Sequence, residues 1–287
     1  MTQAAPPPHL PRVLVEPVVR AALQEDLGRA GDLTTAALID PDASAEGSIR
    51  ARTAGRVAGV QAACLAFELL DPGVRITVLA QDGAPVDAGA TILRVAGPAR
   101  ALLTGERVAL NLLGPLSGIA TATADLVAAV AGTGAAIADT RKTTPGLRAL
   151  EKAAVRAGGG RNHRFGLDDA VLIKDNHVAL AGGPAAAVRR ARGAIGHLVK
   201  IEVEVDTLDQ LDAVLPEGPD AVLLDNMSTE TLRAAVARID GRAIAEASGT
   251  VTPASAPAIA ATGVDVISAG WLTHSAPALD VGLDIEI

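Results

Sequence analysis

The 287-residue chain has one cysteine, Cys64, no tyrosine, and only three aromatic residues, Phe67, Phe165 and Trp271. A single thiol excludes an intramolecular disulfide and any zinc site built on several thiolates. Set between alanines on a helical stretch, Cys64 reads as core. So few rings leave no set of stacking platforms for single-stranded nucleic acid. Basic residues are in deficit too: the formal charge is −8, whereas a polyanion-binding face needs an excess of Lys and Arg. No nucleic-acid partner is expected. No segment approaches eighteen unbroken apolar residues, and the opening MTQAAPPPHLPR has prolines where a signal peptide needs an apolar stretch. The expectation is a soluble cytoplasmic protein with no membrane partner, its residues 1–12 forming a flexible arm.

What the chain has in plenty is aliphatic: hydrophobic residues make up 49% of it, enough for a sizeable core. EPVVRAALQEDLG, 16–28, has apolar residues at helical spacing and ends on a glycine; GDLTTAAL follows as a turn with a new helix cap. GSIRARTAGRVAGV, VRITVLAQDG and ATILRVAG read as strands, with a helix at QAACLAFELL between the first two, forming a small α+β unit. From Thr104 the pattern predicts one long helix, interrupted but not ended by Gly114-Pro115.

The chain then alternates short apolar strands with amphipathic helices. Strands are predicted at 135–139, 170–174, 198–204, 221–225, 243–248 and 264–270. Runs buried on both faces and separated by helices indicate a parallel sheet with right-handed crossovers. The final ALDVGLDIEI is a strand with no helix after it, expected to return to the N-terminal unit. The six strands end in Asp139-Thr140-Arg141-Lys142, Lys174-Asp175-Asn176-His177, Glu204, Asp225-Asn226, Ser248-Gly249 and Ala269-Gly270. In a β/α barrel these ends meet at the rim that carries the catalytic groups. One charged ending says only that the chain returns to solvent; six at one rim point to a site.

Charge is unevenly distributed. From Asp139 to His177 there are eight Lys and Arg against five Asp and Glu, so a +3 segment sits in a chain whose remainder carries −11. Arg148, Lys152 and Arg156, at helical spacing beside Glu151, read as a solvated face. Arg141, Lys142, Arg161, His163, Arg164 and Lys174 instead fall at strand ends or in the glycine-rich GGGRNHRFG, 158–166. Guanidinium forks suit carboxylates and phosphates, and an ammonium acts as a point charge, so the set suits a ligand with several anionic groups. The glycines read as a flexible joint that lets these groups converge, or as a helix cap with a loop. Glu204 and Asp225 suit a general acid and base, Mg²⁺ or ribose hydroxyls, or a salt bridge to Lys174 or Lys200. EASGT and ISAGW offer small residues ahead of helix starts, a cradle for a terminal phosphate. His177 has no metal-spaced companions and reads as a hydrogen-bonded structural histidine.

TRKTTPGLRALEKAAVRAGGGRNHRFGLDDAVLIKDNH, 140–177, resembles the signature region of the quinolinate phosphoribosyltransferases, the carboxylating nicotinate-nucleotide pyrophosphorylases. ERVALNLLGPLSGIAT at 106–121, EVEVDT, LLDNM, EASG and the early EDLGRAGDLTT are similar to further segments of that family in the same order. The resemblance implies a small N-terminal α/β sandwich domain over 13–115, completed by a strand at 277–287. It also implies an incomplete, about six-stranded parallel β/α barrel over 116–276 that carries the active site, and a homodimer or higher assembly. The implied activity is that of a pentosyltransferase in NAD synthesis, which converts quinolinate and phosphoribosyl pyrophosphate to nicotinate mononucleotide, pyrophosphate and CO₂ with Mg²⁺.

On the matching positions, Arg141, His163 and Arg164 would bind the two carboxylates of quinolinate, with Arg107 supplied by the neighbouring chain. Lys142 and Lys174 would lie between quinolinate and the pyrophosphate. Glu204 and Asp225 would hold the ribose and Mg²⁺ side, directly or through water. Thr140 joins the substrate-binding set, and Ser248, Gly249, Thr250, Ala269 and Gly270 would receive the 5′-phosphate, Thr250 standing where the family commonly has a second glycine. Three other readings stay open. The fold could serve another base, as in molybdenum-operon or nicotinate enzymes; Lys174 could form a Schiff base in a barrel lyase; or the chain could be a non-catalytic phosphate-binding scaffold. Arg141 with His163-Arg164 favours a dicarboxylate, and the acidic pair argues against a scaffold.

Overall fold

A computed structural model describes residues 9–286; the expected arm therefore lies, through residue 8, outside the described residues. The N-terminal part runs α1 (Arg12–Leu27), α2 (Leu33–Leu38), β1 (Ser44–Ala51), β2 (Gly55–Arg56), α3 (Val60–Glu68), β3 (Arg75–Val78), β4 (Pro85–Val86) and β5 (Thr91–Pro98). The long helix α4 (Ala99–Ala129) and β6 (Ala136–Ala138) follow, then α5 (Arg148–Ala157), β7 (Val171–Ile173), α6 (Asp175–Ala181) and α7 (Pro184–Ala194). The remainder is β8 (Ile201–Val205), α8 (Leu208–Val214), β9 (Ala221–Asp225), α9 (Thr229–Ile239), β10 (Ile244–Ser248), α10 (Ala256–Ala260), β11 (Val266–Ser268), α11 (Trp271–His274) and β12 (Val281–Glu286).

Packing divides the chain into two units. One comprises the described residues up to Ala124, Thr143–Gly159 and those from Leu272 onward; the other comprises Asp125–Lys142 and Gly160–Trp271. The boundary expected after residue 115 falls inside α4, which continues through Pro115. α4 is the one helix among the described residues long and apolar enough to cross a membrane, and 56% of its most apolar window is buried inside the protein.

In the first unit an antiparallel sheet of order β12-β1-β5-β3 packs Ile49 and Leu93 against Val15, Val19, Phe67, Leu102 and Leu113 from the helices. The C-terminal strand pairs with β1 in the register Ala51↔Val281 to Glu46↔Glu286. Asp32 caps α2, accepting the Thr35 N–H at 2.9 Å, as its GDLTT context predicts. Cys64 packs against this core, and burial pushes its thiol up to about 12. The charged face expected on α5 is mostly not solvated. Lys152 and Glu151 are 3% and 4% exposed, and only Arg156 is open to solvent. Glu151 accepts the Thr144 N–H, and Leu150, Ala154 and Val155 of the same helix join the core.

In the second unit six parallel strands take the order β6-β11-β10-β9-β8-β7. The two-residue period of a strand divides them cleanly. Ile201, Val203, Val205, Val222, Leu224, Ala245, Ala247 and Ile267 are buried on the face covered by helices. Leu172, Glu204, Leu223, Glu246 and Ser268 occupy the other face and line a common cavity, so the sheet curls around it as an incomplete barrel. Helix caps hold the strand ends. Thr207 and Ser228 begin α8 and α9 by accepting the N–H groups of Gln210 and Thr231, each cap worth about 1 kcal/mol.

Candidate active site

Thr140, Arg141, Lys142, His163, Arg164, Lys174, Glu204, Asp225, Ser248, Gly249, Thr250 and Gly270 all line one cavity of about 570 Å³ at the C-terminal ends of the barrel strands. Leu172 and Leu223 supply its apolar wall, and Asn226, already placed at the rim by its strand end, completes it with Glu246 and Ser268, which sequence reasoning missed. A few convergent polar groups over an apolar base are the usual form of a small-molecule site.

β6 and the loop after α5 bring the basic residues together. The Arg161 N–H donates to the Ile137 carbonyl at 2.7 Å and the Asp139 N–H to the Arg161 carbonyl at 3.2 Å, so Arg161 forms a one-residue parallel bridge beside Ala138. Asp139, fully buried, accepts the His163 N–H at 2.9 Å and the Asn162 side-chain amide at 2.6 Å. The loop is thus clamped to the strand rather than joined to it flexibly.

Arg141 and Arg164 face the cavity, and the Nε of each is buried without a hydrogen-bond partner. Arg164 donates one bond from Nη1 to the Ala170 carbonyl at 3.1 Å. Burial, and then the charge of Arg141, hold its guanidinium below the usual arginine range. An unsatisfied buried donor costs about 1–3 kcal/mol, and two such cations side by side favour an anion.

His163 lines the cavity with both arginines, and the protein fixes its ring. Its Nδ1 accepts the Arg164 N–H at 2.7 Å, which leaves the ring proton on Nε2; Nε2 lies 2.8 Å from Glu202 Oε2. Both ring nitrogens are therefore engaged by the protein.

The opposite wall is acidic. Lys174 Nζ lies 3.1 Å from Glu204 Oε2, so of the salt bridges considered for Glu204 the one to Lys174 forms, while Lys200 pairs with Asp220 at 2.6 Å. Glu204, Asp206 and Asp225 can each place a carboxylate oxygen within 4.8 Å of the others. Hard oxygen donors in such a cluster fit Mg²⁺, which takes one or two carboxylates and completes its shell with water and substrate phosphate. His177 accepts the Lys174 N–H on Nδ1 at 3.0 Å, the hydrogen-bonded structural role expected of it.

Small residues close the rim. Thr140 Oγ1 accepts the Lys142 N–H at 3.0 Å. Gly249 has φ +135°, and a Cβ there would lie 2.5 Å from Asn226 Oδ1, so only glycine fits. Trp271 ties the two small-residue loops by donating from Nε1 to the Val251 carbonyl at 2.8 Å. Ala269, expected at the phosphate, does not line the cavity: it is fully buried and its N–H donates to the Ala138 carbonyl at 2.9 Å. The period of β11 turns Ser268 and Gly270 inward instead. Arg107 belongs to the other unit, on α4, where it lines a groove with Asn111, Pro115 and Asp280.

Residues 119–284 match the family described as quinolinate phosphoribosyl transferase, C-terminal domain, and residues 32–117 match its N-terminal domain. The chain is 48% identical over 272 residues to the nicotinate-nucleotide pyrophosphorylase [carboxylating] of Mycobacterium leprae, covering 93% of this chain and 95% of that protein. It is 40% identical over 298 residues to the chloroplastic enzyme of the same name from Arabidopsis thaliana, covering 98% and 85%. Among solved structures, the nicotinate-nucleotide pyrophosphorylase of Francisella tularensis superposes with a TM-score of 0.93 at 38% identity, covering 99% of this chain and 100% of that one. The chain belongs to the quinolinate phosphoribosyltransferase family.

Proposed function

We propose that the cavity binds quinolinate and phosphoribosyl pyrophosphate and that the protein converts them to nicotinate mononucleotide, pyrophosphate and CO₂, a step in NAD synthesis. The observation that carries this reading is the pair Arg141 and Arg164, two guanidinium groups with an unpartnered buried Nε each. Two adjacent carboxylates on one ring satisfy both; nicotinate, with one, would leave a desolvated cation unmatched, so the alternative base is not favoured. Nor does Lys174 suit a Schiff-base role. A nucleophilic lysine needs an apolar pocket or a cationic neighbour, and this side chain is 51% exposed and paired with Glu204.

The residues divide the work by charge. Arg141 and Arg164 hold the pyridine so that its nitrogen faces the ribosyl C1, and Lys142 and Lys174 stabilise the departing pyrophosphate. Glu204 and Asp225 face the ribose and, with Asp206 beside them, would hold Mg²⁺, which when bound offsets the negative charge of the pyrophosphate. Ser248, Gly249, Thr250 and Gly270 accommodate the 5′-phosphate. As the N–C1 bond forms, the C1–O bond to pyrophosphate breaks and the ring nitrogen becomes cationic. The bond from C2 to its carboxylate can then break, CO₂ leaving and the electron pair at C2 taking up a proton.

We assign a homodimer or higher assembly, with Arg107 of one chain serving the site of its partner, and a cytoplasmic location. Incubation with Mg²⁺, phosphoribosyl pyrophosphate and quinolinate labelled in its C2 carboxylate tests the reaction. Labelled CO₂ is expected; ribosylation of nicotinate or another base without label release would overturn the assignment.

A further inference from the structure

Two buried carboxyl groups lie beside the carboxylate-reading arginines, and the reaction above uses neither. Glu202 on β8 and Glu246 on β10 are 8% and 5% exposed. Both approach one atom: His163 Nε2 is 2.8 Å from Glu202 Oε2 and 3.6 Å from Glu246 Oε1. The imidazole in turn accepts the Arg164 N–H at 2.7 Å. A chain of contacts therefore runs from the two carboxyls through the ring to the backbone of Arg164.

Glu202 does not line the substrate cavity. It lines a second cavity, of about 340 Å³, toward the N-terminal ends of the same strands, and Glu246 lies between the two. Glu202 therefore reaches the substrate cavity through its neighbours, by its bond to His163 and by its charge on Glu246 and Arg164. We propose that Glu202 and Glu246 are positioning residues for dicarboxylate recognition: through His163 they fix Arg164, so that its guanidinium faces the ligand together with that of Arg141. This inference rests on the quinolinate reading.

The pair is stable only as a unit. As two carboxylates, each would leave Oε1 buried and unpartnered, with like charges side by side. One proton held by Glu246 and directed at Glu202 lets the two buried groups share a hydrogen bond, while Glu202 Oε2 stays within reach of His163 Nε2. Burial, and then the charge of Glu202, push the Glu246 carboxyl up to about 7. A glutamine at 246 reproduces the protonated acid; an alanine does not.

The test is steady-state kinetics on the full chain, with quinolinate and phosphoribosyl pyrophosphate varied separately and the melting of each variant recorded. Loss of orientation at a reacting group can cost up to about 10²-fold; Glu202→Ala and Glu246→Ala should raise KM for quinolinate at least about tenfold and leave KM for phosphoribosyl pyrophosphate within about twofold. Glu246→Gln should restore KM for quinolinate to within about threefold of the parent, as expected where one amide proton replaces the acid's in the same hydrogen bond. Equal changes in both KM values, no change, or a glutamine no better than alanine would overturn the proposal. A parent enzyme that releases no CO₂ from quinolinate would instead remove the reading beneath it. Should the alanine variants fail to fold, ¹⁵N-histidine spectra of the parent decide. At neutral pH His163, assigned by its loss in His163→Gln, should show the Nε2–H tautomer, and an Nδ1–H ring or an imidazolium would contradict the chain of contacts.

Discussion

A carboxyl group whose pKa is raised by folding binds its proton more tightly in the native chain than in the unfolded one. Glu246, raised from 4.5 to about 7 by burial first and Glu202 second, therefore contributes stability that is full below about pH 4.5. That contribution is lost as pH rises through about 7. Glu246→Gln cannot ionise, so the melting temperature of the variant minus that of the parent should grow between about pH 5 and pH 8.5. The expected growth is at least about 2 °C, which roughly 1 kcal/mol gives in a protein of this size. A difference that stays flat over this range would count against the raised carboxyl. Glu202 and Glu246 were poorly legible in the sequence because IEVEV and IAEAS read as apolar runs. The signal was present in the strand period: Glu202 shares a face with Glu204, and Glu246 with Ser248. Arg141, Lys142, Lys174, Glu204 and Asp225 were legible because each stands at or near a strand end, where charge is conspicuous, and Arg164 because it stands in a glycine-rich loop. The ring partners of His163 were not, since they come from β8 and from its own backbone neighbour.

At the scale of elements, all six barrel strands and the long helix were readable from hydrophobic period and turn residues. The burial of α5 was not. Its i, i+4 charges look solvated until tertiary packing places Lys152 and Glu151 inside. The glycines that follow α5 show the same limit. Gly158 is no flexible joint: a Cβ there would lie 2.5 Å from both the Ala120 carbonyl oxygen and Thr123 Cβ on α4. Gly158→Ala should therefore cost about 1–3 kcal/mol, as overpacking does. Gly193 on α7 is a matched control, since a Cβ there meets nothing within 4 Å and its φ is ordinary. Gly193→Ala, in the last turn of α7, should leave stability unchanged or raise it by up to about 0.5 kcal/mol, the low end of the helix-interior difference between the two residues. Chemical denaturation measures both. Equal effects of the two substitutions would show that close packing of α5 on α4 does not limit residue 158.

For the whole molecule, net charge and local charge point to different partners: −8 overall argues against a polyanion, while the +3 island builds a site for a small polyanionic substrate pair. That site is lined wholly by one packing unit, yet the family resemblance assigns it Arg107, which stands on α4 in the other unit. Mixing two inactive variants decides which chain supplies this arginine. If it comes from the partner, Arg107→Ala and Lys142→Ala should each lose most activity alone. A heterodimer of the two has one site with an intact Lys142 and the partner's intact Arg107, and one site lacking both. Random subunit exchange in an equal mixture then restores at most about a quarter of the parental sites, the limit for a two-fold symmetric dimer. If Arg107 serves its own chain, every heterodimer site lacks one of the two groups and no activity returns. Recovery near that quarter, in samples where mass spectrometry verifies mixed dimers, would establish the shared site; verified mixed dimers without recovery would place Arg107 in the service of its own subunit.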